Sequence, residues 1–240
     1  MKTSFKIFLG LLLLSSSWRV FAHDRPCNGA PGSAHPNGGG FVADSASVEK
    51  TVYVGPLASV CDRATISDKA SIYGQAIVFG DANISDQVRV LGNARVFGKA
   101  TVSGKATVFG EAKIFGKATV TDRSWVVDEA LVYGSATVDG RSFISMNARV
   151  FGRATVSDAK VSNTAQVYGT ARILEGAQIR GRARVCRGEW SNEITNDRCE
   201  HRTFFSSNVI FDGPRDNSAP FSEFPSPSND NRYSARGIAR

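Results

Sequence analysis

Three histidines and four cysteines are the residues of this 240-residue chain whose types most readily do chemistry. An imidazole can act as a general base or a zinc ligand, and a cysteine as a ligand or a disulfide partner. The histidines are His23, His35 and His201, so none lies between Val42 and Trp190. That distribution leaves no trio of imidazoles for a zinc site within that span and only His35 or His201 as a base for acyl transfer. The expectation is a protein that is not an enzyme, with no cofactor and no metal. The cysteines, Cys27, Cys61, Cys186 and Cys199, can pair in three ways.

What must position these residues is a repeat. From Val42 to Trp190 the chain divides into six-residue units, interrupted once by the five-residue unit Val156–Lys160, and every unit opens with Val or Ile. The stretch "VFGKATVSGKATVFGEAKIFGKATV" is typical. A β-branched opener suits an inward strand site, and the small fifth residue, two positions earlier on the same face, points inward with it. Gly, Asp or Asn usually stands third, where a corner demands left-handed backbone. Each unit is therefore a short strand and a corner.

The second position gives the period. In every third unit it reads Cys61, Phe79, Phe97, Phe115, Tyr133, Phe151, Tyr168 and Cys186, a step of 18 that drops to 17 only across the short unit. Three six-residue faces thus close one 18-residue coil. About eight coils at roughly 4.8 Å each make a prism on the order of 40 Å long. The reading is an all-β, single-stranded parallel β-helix.

The flanks read differently. Residues 1–22 carry Lys2 and Lys6, an apolar run from Phe8 to Leu14 and Val20-Phe21-Ala22 at the cleavage point, the pattern of a secretory signal peptide. A membrane anchor would need roughly 18 apolar residues, and this run breaks at "SSSWR". The chain is expected to be exported to a periplasmic or extracellular space, with no membrane span after cleavage. Removing Lys2, Lys6 and Arg19 leaves 26 basic residues against 22 acidic, too mild a balance to argue for nucleic acid. Residues 23–41 read as an irregular N-terminal cap, and 191–240 as a partly disordered extension carrying the apolar run "TFFSSNVIFDG". In an oxidising compartment the cysteines can bridge. Cys61 and Cys186 close the two ends of the aromatic column, so Cys27–Cys61 and Cys186–Cys199 are the preferred pairs, each fastening a flank to the prism.

The V-x-G-x-A-x units resemble those of hexapeptide-repeat proteins, and the resemblance implies a left-handed parallel β-helix. It covers 42–190. That group includes acyltransferases with a catalytic histidine on the coils and a branch with three zinc-binding histidines, and this sequence departs from both by having no histidine there. Its uniform "GNARVFGKATV" texture is more similar to exported or phage-associated repeat proteins with scaffold-like coils. The resemblance also implies a homo-oligomer, such as a trimer packed through the prisms.

Three candidate surfaces follow. The rings Phe79, Phe97, Phe115, Tyr133, Phe151 and Tyr168 run beside Arg95, Lys113 and Arg149. They are either covered, by the tail bearing Phe204, Phe205, Val209, Ile210 and Phe211 or by another subunit, or open as a platform for glycans or another cell-envelope polymer. A second face pairs Thr65 with Ser67, Thr101 with Ser103, Thr119 with Thr121, and Thr155 with Ser157. This is either an ordinary polar strand surface or an array resembling the T-x-T face of β-helical ice-binding proteins. The third carries Tyr73, Leu91, Phe109, Trp125, Val127 and Phe143 with Arg89 and Thr107, apolar enough to mark a contact surface. Lys99, Lys105 and Lys117 at the corners read as plain solvated surface.

Overall fold

The computed structural model describes residues 26–199. The expected signal peptide, His23, His201 and the tail residues Phe204 to Phe211 lie outside them. Within them the chain is a parallel β-solenoid of three sheets. Strands of two or three residues follow one another around the coil, and from Phe41 on each pairs in parallel with the strand one coil away, usually 18 residues on: Arg95 sits opposite Ile77 and Lys113, and Thr101 opposite Asn83 and Thr119.

The unit openers and the fifth-position alanines form one continuous core, with Val96, Val102, Val108, Ala100 and Ala106 fully buried. Alternation of inward and outward side chains along each short strand produces this. No helix among the described residues is long and apolar enough to cross a membrane.

The corners turn through left-handed backbone, for example at Gly98 (φ 71°) and Gly116 (φ 73°). A Cβ on Gly98 would lie 3.0 Å from the Gly116 amide nitrogen of the next coil, so glycine meets both the dihedral and the stacking demand there. Where aspartate takes the corner, its carboxylate does further work. The Gly80 amide donates to Asp62 Oδ2 at 3.0 Å, Asp86 N–H to Asp68 Oδ2 at 3.1 Å, and Gly104 N–H to Asp86 Oδ2 at 2.9 Å. The bond from the Asp86 amide, and then that from the Ser67 hydroxyl, hold the Asp68 carboxyl below its usual range.

Two details extend these expectations. The parallel rows hold nine coils rather than about eight, because Glu193–Ile194 adds a strand beyond Trp190, with Ile194 buried where a unit opener would be. The N-terminal cap is also more regular than its Gly- and Pro-rich sequence suggests. Gly32–Ala34 pairs antiparallel with Phe41–Ala43 and covers the edge of the first sheet. The connecting loop exchanges backbone bonds with Val54 through Asn37 and Gly40. An uncovered sheet edge invites pairing with another chain.

The five-residue unit is absorbed in its corner. Phe143 and Ile144 still pair with Lys160 and Val161, now 17 residues away. The buried hydroxyl of Ser142 accepts from the Ala159 amide at 3.4 Å and donates to Asp139 O at 2.7 Å or Val156 O at 3.1 Å.

Candidate functional surfaces

Cys27–Cys61 and Cys186–Cys199 both close, with Cα separations of 5.3 and 5.5 Å. The pairing is the preferred one, and two bridges point to an oxidising, non-cytoplasmic environment. His35, the one histidine among the described residues, sits buried in the N-terminal cap, its Nδ1 3.3 Å from the Asn37 amide nitrogen that donates to it. Among the described residues no group of three or more His, Cys, Asp or Glu side chains could hold a metal.

The first sheet brings the aromatic column together as read. Successive rings from Phe79 to Tyr168 lie 4.6–4.9 Å apart at interplanar angles of 2–4°. Parallel in-register strands set that spacing, and each interior ring has both faces on its neighbours. A sugar could approach only ring edges, because the faces that would receive it are already filled. Arg95, Lys113 and Arg149 stand in the adjacent outward row of the same sheet. Burial within the ladder pushes the Tyr133 phenol up to about 12, with the charge of Arg149 acting weakly the other way.

The second sheet aligns Thr101, Thr119, Thr137 and Thr155 in register. Of the neighbouring hydroxyl row, several members are engaged by the corner. Ser67 donates to Asp68, Ser85 to Asp86, and Thr121 to Asp122, at 2.9–3.3 Å. These hydroxyls orient carboxylates that in turn accept backbone amides of the next coil, as Asp122 does from Gly140. Thr65, Ser103 and Ser157 lie on the same face with the positions read from sequence.

The third sheet carries the exposed aromatic residues, while Leu57 and Met146 are exposed at corners. Tyr73 is 38% exposed, Phe109 50%, Trp125 44% and Phe143 36%, while Val127 and Thr107 are buried. The Trp125 and Phe143 rings are tilted 36° with centroids 6.4 Å apart, so unlike the ladder rings they do not cover one another. Beside them lies an open groove of about 710 Å³, lined also by Arg123, Arg141, Lys160 and Arg180 and by Ser145, Ser162, Asn163 and Gln178.

Sequence reasoning found Trp125 and Phe143 but missed the cations. Arg123 and Arg141 occupy the fourth position of their units, where lysines elsewhere are ordinary corner residues. Their meaning depends on the rings of the next strand. No family model and no curated protein sequence matches this chain.

Proposed function

We propose that this protein is an exported, non-catalytic scaffold of the hexapeptide-repeat type whose third sheet is its contact face. The observation that carries this reading is the unequal treatment of aromatic residues. Those of the first sheet are packed into a self-covering ladder, whereas Tyr73, Phe109, Trp125 and Phe143 stand exposed on another sheet. Apolar surface exposed contiguously on a rigid platform commonly serves association. The two bridges support export. The burial of His35 in the cap, away from the groove, supports a non-catalytic role.

Association through this face is tested by sedimentation of the purified exported chain, alone and with isolated envelope polymer. Phe109→Ser with Trp125→Ser is expected to abolish self-association or polymer co-sedimentation while the melting transition stays in place. Unchanged sedimentation of that variant in both settings overturns the contact-face reading.

A further inference from the structure

We infer that the groove beside Trp125 and Phe143 is a binding site for a linear acidic polysaccharide laid obliquely across successive coils of the third sheet. This deepens the proposed function and rests on the third sheet being the contact face. Arg123 precedes the Trp125 strand and Arg141 the Phe143 strand; Lys160 and Arg180 belong to the next two coils. The groove therefore presents one cation per coil over four consecutive coils, stepping obliquely across the sheet from the corner (Arg123, Arg141) through the Phe143 row (Lys160) to the next outward row (Arg180) while rising by roughly 14 Å at one strand spacing each.

Among the described residues, carboxylates pair with only one of these four cations. Arg123, Arg141 and Lys160 form no ion pair among the described residues, and only Arg180 shares its charge, with Glu193. The nearest corner carboxylates are turned to backbone. Asp122 accepts from the Gly140 amide and Asp158 from the Arg141 amide. Cations set one per coil on a rigid backbone frame favour a ligand with repeating negative charge over one with a single anionic group.

The remaining lining separates the candidate polyanions. Trp125 and Phe143 offer uncovered apolar ring surface for the C–H faces of pyranose rings. Ser145, Ser162, Asn163 and Gln178 supply the hydroxyl and amide groups that a hydroxyl-rich ligand requires. A second copy of this chain meeting the groove across a two-fold axis would set like cations against each other. Nucleic acid could use the same charges, polar groups and rings, but the mature chain's balance of 26 basic and 22 acidic residues is slight for it, and an oligonucleotide titration separates the two.

The probe is polygalacturonate, titrated calorimetrically against the purified exported chain, with neutral dextran and single-stranded oligo(dT) as comparison ligands. Binding is expected to polygalacturonate alone. Arg123→Gln with Arg141→Gln should weaken it at least tenfold and flatten its salt dependence. Trp125→Ala should weaken it severalfold with the salt dependence retained, a split that mere charge attraction would not give. Melting curves confirm that these surface variants fold.

No heat with polygalacturonate, or equal affinity for oligo(dT), overturns the inference. So does binding indifferent to all three substitutions. If polygalacturonate fails but Phe109→Ser with Trp125→Ser still dissolves self-association, only the ligand assignment falls and the contact face survives. If both fail, the face itself is wrong.

Discussion

Tyr133 couples the ring ladder to pH. Its phenol is pushed up to about 12 by burial from an ordinary value of 10.0. Below pH 10 the folded and unfolded chains both keep the proton, so the group's contribution is fully present. As pH rises from 10 to 12 the unfolded chain ionises first, and that contribution is lost through the window. Relative to Tyr133→Phe, the native chain should lose about 2 kcal/mol of stability across it, read by denaturant unfolding at each pH. The corner carboxylates show the same dependence on neighbours. Asp68 and Asp86 read in the sequence as residues that tolerate left-handed backbone, which they do at φ 60° and 63°. Their bonds to amides one coil away were not legible, because nothing in a hexad says which way a corner side chain leans.

The ring ladder, the hydroxyl face and the open face are the same element repeated with different outward residues. Parallel pairing without slippage stacks like on like, which is why an 18-residue step in residue type could be read directly as a coil. It is also why the cysteines at the ends of the aromatic column could be assigned to their flanks. The sequence was less informative about what a column does once formed, since a row of phenylalanines is equally an open platform or a closed stack. The spacing of 4.9 Å between Phe97 and Phe115, at 3°, decides for the stack. Each such contact should contribute beyond simple burial. A double-mutant cycle on Phe97→Leu and Phe115→Leu is expected to show a coupling of about 0.5–1.5 kcal/mol in equilibrium unfolding. The same cycle on Phe97 and Phe151, which are not neighbours, should be additive. Trp125 and Phe143, tilted and 6.4 Å apart, hold no comparable stack, and their exposure could not be told from sequence because the second-position rings looked equally exposed there.

As a whole molecule the chain is a one-dimensional stack, in which each coil answers mainly to the coils above and below it. The antiparallel strand Gly32–Ala34 and the Cys27–Cys61 bridge close its N-terminal end, and Cys186–Cys199 ties the last described coils. The short unit at Val156–Lys160 shows what such a stack does with a missing residue: the corner tightens, the strands keep register, and the Ser142 hydroxyl takes up the Ala159 amide. One coil earlier in the same inward column, Ser124 is buried with its Oγ unpartnered, facing a full-length corner at Gly140–Arg141. The gene therefore contains a second place prepared for the loss of one codon. Deleting Arg141 would bring the Ser142 amide to the Ser124 hydroxyl, as Ala159 now meets Ser142. Deleting Lys69 would take the Ala70 amide from Ser67 O and offer it only Val52, which has no hydroxyl to receive it, leaving that donor buried and unsatisfied at a cost of about 1–3 kcal/mol. Thermal unfolding of the two single-codon deletants should separate them by roughly that amount, with the Arg141 deletant the more stable. Equal losses would mean that the unpartnered serine is an accident of composition, and that frame lengths in this solenoid drift without regard to the hydroxyls beneath them.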